Sequence, residues 1–142
     1  MGFKKDESLY VSGLVKMAST GSKNLGLSYV DANCFDRSNY LTEFSSFFEI
    51  DDIELEKSNL TDKELFNNLF DDNKKTDSLI HWLNILDGNC DNVKIIKEKY
   101  FSKTIESLSN YSGGLTMFYT VEDLYFLEYK TLTIVLIIGN DE

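Results

Sequence analysis

Arginine, histidine and tryptophan each occur only once in this chain. The single guanidinium, that of Arg37, matters because arginine recognises phosphate groups through paired hydrogen bonds. The net charge of −10 also opposes binding to polyanions, because an acidic surface repels nucleic acids and anionic membranes. The composition therefore argues against a nucleic-acid-binding or membrane-binding protein and favours encounter with a basic partner.

Cysteine is scarce as well, and proline is absent. Cys34 and Cys90 lack the close spacing of a zinc or redox motif, which predicts two packing thiols in a reducing compartment. No apolar run approaches the roughly 20 residues of a membrane helix, and the first residues lack the apolar core of a secretion signal. We therefore expect a cytoplasmic protein.

No repeat, linker or low-complexity tract divides the chain, so residues 1–142 are expected to form a single domain.

The last quarter of the chain is rich in β-forming residues. Three apolar runs, at residues 115–121, 124–129 and 132–138, are separated by Glu122-Asp123 and Lys130-Thr131, which are polar breaks of hairpin length. This pattern predicts an antiparallel β-meander. The third run has no polar alternation, so we expect it to be a central strand that is covered on both faces.

The upstream sequence predicts mainly helices. Thr61 and Glu64 have the spacing of a capping box, with Leu60 and Leu65 at the flanking apolar positions. The helix-like segments are residues 7–18, 40–50, 61–70, 78–86 and 93–109, and residues 25–30 read as a short edge strand. The predicted fold class is α+β, with N-terminal helices packed on a C-terminal antiparallel β-meander.

Few residues suggest catalysis or metal binding. His81 has no evident serine, cysteine or carboxylate partner, so it is a weak catalytic candidate. Asp87, Asn89, Asp91 and Glu98 fall at positions 1, 3, 5 and 12 of an EF-hand loop, but Asn92 stands where that loop requires glycine. The alternative interpretation is that Gly88 ends one helix and Asp91 or Asn92 caps the next. We expect no catalytic residue, cofactor or metal, and calcium remains an alternative.

The acidic residues are concentrated in the middle of the chain. Residues 31–72 contain twelve acidic and three basic side chains, a net charge of −9. Residues 53–56 alternate apolar and acidic, which indicates an extended segment with one acidic outward face. These carboxylates form a solvated surface that keeps the protein soluble, or they bind a basic partner. The candidate partner-binding residues are Asp51, Asp52, Glu54, Glu56, Asp71, Asp72, Glu122 and Asp123.

The end of the chain carries a family resemblance. Asp123-Leu-Tyr-Phe-Leu-Glu-Tyr129, a following apolar strand and Gly139-Asn-Asp-Glu142, in a small acidic protein, resemble bacterial immunity proteins of contact-dependent growth inhibition systems. The resemblance implies a cytoplasmic inhibitor without enzymatic activity. Such a protein binds the C-terminal domain of a cognate toxin, often a nuclease with a basic cleft. The alternatives are a phage- or plasmid-encoded acidic inhibitor of a host defence nuclease and a small enzyme of unknown reaction.

Overall fold

A computed structural model describes residues 5–19, 28–51, 53–110 and 120–140. The fold is α+β, as predicted, and the described strands form one antiparallel sheet. The elements in chain order are α1 (Lys5–Ser19), β1 (Ser28–Asp36), α2 (Tyr40–Phe47), β2 (Leu55–Lys57), α3 (Asp62–Phe70), α4 (Asn73–Asp87), β3 (Asn92–Ile96), α5 (Glu98–Asn110), β4 (Thr120–Glu128) and β5 (Leu132–Asn140).

The sheet has the order β1-β5-β4-β3-β2. β5 lies between β1 and β4, which confirms that the apolar third run is an interior strand. β1 pairs with β5 along its whole length, from Ser28 opposite Asn140 to Asp36 opposite Leu132. The predicted edge strand is thus present from Ser28 onward and is longer than expected, while residues 25–27 lie outside the described part of the chain.

Helices cover both faces of the sheet. Ile134, Leu136 and Ile138 of β5 pack into one core with residues of α1, α3 and α4. Val135 and Ile137 point the other way, into a second core with residues of α2 and α5. Because successive side chains of a strand alternate between faces, an interior strand between two helical layers must be apolar at every position. This three-layer packing accounts for the unbroken apolar run.

The helix α3 begins as its sequence predicts. The Thr61 side chain accepts a hydrogen bond from the Glu64 amide, and the Glu64 side chain accepts one from the Thr61 amide, which completes the capping box. The helix ends at Asp71, whose φ of 49° places it in the left-handed region. Asp72 then caps α4 by accepting hydrogen bonds from the amides of Lys74 and Lys75.

The predicted helix over residues 93–109 is wrong in its first turn. Residues 92–96 form β3, which pairs with both β2 and β4, and α5 begins only at Glu98. Asp91 and Asn92 therefore do not cap a helix. Leu108 of α5 packs in the core with Leu124 and Phe126 of β4, so the expectation that this helix lies against the C-terminal strands is confirmed.

The predicted turn at Glu122-Asp123 is also wrong. Both residues belong to β4, and the register shifts between Val121 and Asp123, so Glu122 is the extra residue of a β-bulge. The predicted turn at residues 130–131 is confirmed, since it joins β4 to β5. The run predicted at residues 115–121 is described only from Thr120 onward, and its earlier residues lie outside the described part.

Candidate functional site

An acidic surface lies where α2 leads into the edge strand β2. Phe48 and Ile50 are buried and hold this segment on the core, while Glu49 and Asp51 alternate with them and are exposed. Glu49 has a φ of 55°, and this left-handed backbone turns the chain at the end of the helix. The alternation of buried and exposed residues therefore directs the carboxylates outward.

The strand β2 continues the same alternation. Leu55 pairs with Ile96 of β3 and is half-buried, as is Ile53, whereas Glu54 and Glu56 are exposed on the other face. The predicted extended segment with one acidic outward face is confirmed for these residues. We call Glu49, Asp51, Glu54 and Glu56 the acidic edge. Asp52 lies outside the described residues.

The acidic edge has few cationic neighbours. Glu54 Oε2 lies 3.4 Å from the ammonium of Lys97, and among the described residues this is the only ion pair of the acidic edge. Both partners are exposed, so this pair contributes little to stability. Of the four exposed carboxylates, Glu49, Asp51 and Glu56 form no ion pair within the described structure.

Phe47 adds an apolar group beside these carboxylates. It is 54% exposed and contacts Phe48 edge to face, with ring centroids 4.8 Å apart. Phe47 stands among the apolar residues of α2 that have helical spacing. Phe44 and Phe48 are four residues apart and are both buried, so they lie on the face of α2 that contacts the core. Phe47 directly precedes Phe48 in the sequence and therefore lies beside that buried face. This spacing was the available signal for an exposed aromatic ring.

The other predicted partner-binding residues lie elsewhere. Asp71 is exposed at the turn between α3 and α4, and the carboxylate of Asp72 caps α4. Asp123 accepts hydrogen bonds from the Leu124 amide and the Tyr125 hydroxyl, both at 2.8 Å. Glu122 is the bulged residue of β4. The described candidates of the 49–56 segment therefore share one exposed stretch of chain, whereas the other candidates lie on different elements.

A second acidic group, Glu128, is buried on β4, which pairs with β3 on the side opposite β2. Only 5% of Glu128 is exposed. The Tyr40 hydroxyl donates to Oε2 at 2.6 Å, and the Asn92 side chain donates to Oε1 at 3.0 Å. The Lys94 ammonium lies 3.2 Å from Oε2, and Arg37 Nη2 lies 3.7 Å from Oε1. We call these five residues the Glu128 network.

The Glu128 network holds an ionised carboxylate inside the fold. Burial alone would raise the pKa of Glu128, but hydrogen bonds from Tyr40, Lys94 and Asn92 outweigh it and hold the pKa below its ordinary value. Glu128 is therefore ionised at neutral pH and has no proton to donate. Burial, together with the bond to Glu128, raises the pKa of Tyr40, so the phenol keeps its proton.

The only arginine is also engaged in the fold. Arg37 Nη1 donates to the Tyr129 carbonyl at 2.7 Å and forms an ion pair with Asp91. The Arg37 amide donates to the Thr131 carbonyl at 3.0 Å. The guanidinium thus fixes the connection between β1 and α2 against the β4–β5 turn. Sequence reasoning missed this use because the contacts join residues that are far apart in the chain.

The EF-like residues are engaged in different contacts. Asp87 accepts hydrogen bonds from the Thr131 amide and hydroxyl at 2.7 and 2.8 Å and from the Leu132 amide at 3.0 Å. Asp91 faces Arg37, as described above. Gly88 ends α4 with a φ of 78°, as predicted. Within the described residues, no group of three or more histidine, cysteine or acidic side chains could hold a metal ion.

The candidate nucleophiles and bases do not form a reactive constellation in the described structure. Both cysteines are free thiols, as predicted. Burial raises the pKa of Cys90 to about 12, so its thiol is not ionised at neutral pH. Cys90 lines a cleft of about 290 Å³ with Asp62 and Asn92. His81 is exposed on α4 and contacts Trp82, with ring centroids 5.5 Å apart.

No protein-family model, curated protein or solved structure matches this chain. In the described part of the chain, no helix is both long and apolar enough to cross a lipid bilayer.

Proposed function

We propose that this protein is an immunity protein of the bacterial cytoplasm that binds and neutralises the C-terminal domain of a cognate toxin, a basic nuclease. The observation that carries the proposal is the acidic edge, a segment of eight residues with four exposed carboxylates, of which only Glu54 forms an ion pair within the described structure. Its surface is complementary to the positively charged cleft with which a nuclease holds its substrate.

Electrostatic attraction speeds the encounter of such partners. Complementary charges raise association rates by orders of magnitude at low salt, whereas neutral surfaces associate more slowly. The acidic edge supplies this attraction without a large effect on stability, because Glu49, Asp51 and Glu56 are exposed. The inhibitor acts by covering the cleft, so it needs no catalytic residue.

The exposed ring of Phe47 provides the apolar contact that charge alone lacks. Interfaces concentrate their binding energy in a few buried aromatic or arginine side chains surrounded by a polar rim. Phe47 lies next to Glu49 and Asp51 in sequence and is exposed with them. In the complex, we expect Phe47 to be buried against the toxin while the carboxylates contact its basic groups.

The test uses the basic toxin domain that the proposal predicts to be encoded beside this gene. Bacteria that express the toxin domain should survive when they also produce the wild-type protein. The Asp51→Lys/Glu56→Lys variant should protect poorly, and the purified variant should bind the toxin domain less tightly. The matched control is Asp77→Lys/Glu106→Lys, which makes the same change in net charge at exposed positions of α4 and α5.

Equal protection by the two variants would contradict a role for the acidic edge. The absence of a basic toxin domain beside the gene, or the absence of binding to that domain, would contradict the proposed function itself.

A further inference from the structure

The strand β2 lies at one edge of the described sheet, with β3 on its inner side. Two backbone hydrogen bonds flank this short strand. The Lys97 amide donates to the Glu54 carbonyl at 2.9 Å. The Ser58 amide donates to the Val93 carbonyl at 2.8 Å. These two bonds fix which residues of β2 direct their backbone toward β3.

Two residues of β2 direct their backbone groups away from the sheet. In an antiparallel pair, successive residues turn their amide and carbonyl alternately toward the partner strand and away from it. Glu54 and Ser58 face β3, and so does Glu56 between them. Leu55 and Lys57 therefore present their amides and carbonyls at the outer edge. Within the described structure, no hydrogen bond satisfies these outward groups. Such an edge is a template for another strand.

The side chains of β2 determine which strand fits this template. Glu54 and Glu56 are exposed on one face, whereas Leu55 is half-buried on the other face, against the second core. In an added antiparallel strand, opposite residues have Cβ atoms about 4.5 to 5.5 Å apart, so opposite charges stabilise the pairing and like charges destabilise it. The best residues opposite Glu54 and Glu56 are therefore basic, and the best residue opposite Leu55 is apolar.

A second copy of this chain does not fit the charges. Two-fold pairing of β2 with itself about Glu56 places this residue opposite its own equivalent. Pairing about Leu55 places Glu54 of each copy opposite Glu56 of the other. Pairing about Lys57 places two lysines opposite each other. Each of these registers brings like charges together. The edge is thus unfavourable for self-association and open to a strand of the opposite charge.

We propose that β2 binds a strand of the toxin domain by antiparallel edge pairing, and that this strand has a basic–apolar–basic sequence. Its basic residues contact Glu54 and Glu56, and its backbone bonds to the outward groups of Leu55 and Lys57. The inference rests on the proposed function, from which it takes the partner, and it adds that recognition uses backbone hydrogen bonds as well as charge. Main-chain bonds then contribute affinity, and the alternate side chains give specificity.

The existing ion pair of Glu54 does not oppose this pairing. The Lys97 ammonium lies 3.4 Å from Glu54 Oε2, and both side chains are largely exposed. An exposed pair of this kind contributes little free energy, so a basic residue of the added strand replaces or joins Lys97 at small cost.

Amide hydrogen exchange, measured by NMR, tests the geometry of the free edge. In the protein without a ligand, the Leu55 and Lys57 amides should exchange faster than those of Glu56 and Ser58, because only the latter two bond to β3. Equal exchange of all four amides would contradict the outward direction of Leu55 and Lys57.

The probe is a synthetic peptide of alternating lysine and valine, about seven residues or roughly 23 Å long when extended. Its control has glutamate in place of lysine. The lysine peptide should slow exchange of the Leu55 and Lys57 amides about tenfold at saturation and leave Ser58 near its free rate. The glutamate peptide should leave all three amides unchanged, because it places carboxylates opposite the acidic edge.

The decisive variant is Lys57→Pro, which removes one outward amide. Proline is tolerated in an edge strand where the amide faces away from the sheet, so the bonds to β3 should remain. The matched control Lys57→Ala makes the same change in charge and keeps the amide. We expect the proline variant to bind the lysine peptide about tenfold more weakly than the alanine variant. Slow exchange of the Ser58 amide in the proline variant shows that β2 is still paired; if it is lost, exchange in the wild type decides.

The same amides also separate this inference from the proposed function. Binding of the toxin domain without protection of the Leu55 and Lys57 amides would overturn edge pairing and leave the proposed function intact. Protection by the lysine peptide without any binding of the toxin domain would support the pairing and contradict the proposed partner.

Three results with the peptides would overturn edge pairing. They are equal effects of the lysine and glutamate peptides, no protection of the Leu55 and Lys57 amides by the lysine peptide, and equal binding of that peptide by folded Lys57→Pro and Lys57→Ala. The charges of β2 would then serve only to keep the edge from aggregating.

Discussion

Glu128 and the acidic edge are both anionic, but their surroundings differ. Glu128 is buried, and each of its oxygens is contacted by a hydrogen-bond donor and by a cation. The acidic edge is exposed, and only Glu54 forms an ion pair in its described surroundings. The first arrangement is what a buried carboxylate requires to be stable in the fold. Folding places no such requirement on the second.

The difference in burial and in ion pairing distinguishes carboxylates that stabilise the fold from carboxylates that are available to a partner. Sequence alone does not make this distinction, because Glu128 and Glu56 are the same residue type and both lie in strands. The distinction leads to different expectations for mutation: loss of Glu128 should affect stability, and loss of the acidic edge should affect binding.

The largest effect on stability is expected for Glu128→Ala. This change leaves Lys94 and Arg37 without their shared anion and removes the acceptor of the Tyr40 hydroxyl. Breaking a fully buried ion pair costs about 3 to 5 kcal/mol, and because the side chains of Lys94 and Arg37 are 33% and 31% exposed, we expect a loss near the lower end of that range. Urea unfolding at pH 7 measures the loss. A cost below about 1 kcal/mol would show that the Glu128 network does not differ from a surface ion pair.

The second prediction concerns the pH dependence of stability that Glu128 causes. Because the folded-state pKa of Glu128 is lowered, its contribution to stability is fully present above the pKa of the unfolded chain, about 4.3, and is lost as the pH falls through the folded pKa. The free energy of unfolding of the wild type should therefore fall more between pH 6 and pH 3 than that of Glu128→Gln. Parallel curves for the two proteins would contradict this assignment.

Asp71 and Asp72 allow the same comparison between neighbouring carboxylates. Asp72→Ala removes the cap of α4 and should cost about 1 kcal/mol. Asp71→Asn should change stability by less than about 0.5 kcal/mol, because Asp71 is exposed and asparagine tolerates its left-handed backbone. Thermal unfolding of both variants checks the prediction. Equal losses would mean that the N-cap bond has no specific effect.

Local signals in the sequence were reliable. The capping box of Thr61 and Glu64 was predicted correctly because its hydrogen bonds connect residues only three apart. The interior position of β5 was also predictable, since a run of apolar residues from Ile134 to Ile138 is explained only by cover on both faces.

The structural features that the sequence did not predict depend on contacts between residues that are far apart in the chain. Val93, Ile96 and Tyr100 have helical spacing, yet pairing with β2 and β4 makes residues 92–96 a strand. Glu122-Asp123 resembles a turn, but pairing with β5 continues through it as a bulge. The Glu128 network joins positions 37, 40, 92, 94 and 128, so no local pattern could have indicated it.

The smallest effect on stability is expected at the acidic edge. Reversal of Asp51, Glu54 and Glu56 to lysine should change the free energy of unfolding by less than about 0.5 kcal/mol at each site, as is usual for exposed residues. Urea midpoints of the three single variants measure this. A large loss at any site would mean that its carboxylate has a structural role, and it would weaken the comparison with Glu128.

The most direct test of the central claim is the rate of association with the proposed toxin domain, measured by stopped flow as a function of salt. The Asp51→Lys/Glu54→Lys/Glu56→Lys variant should associate more slowly than the wild type at low salt, and added salt should slow the wild type far more than the variant. The control Asp77→Lys/Glu106→Lys should stay closer to the wild type. If the wild type and the acidic-edge variant showed the same rates and the same salt dependence, the acidic edge would not be the surface that recognises the toxin.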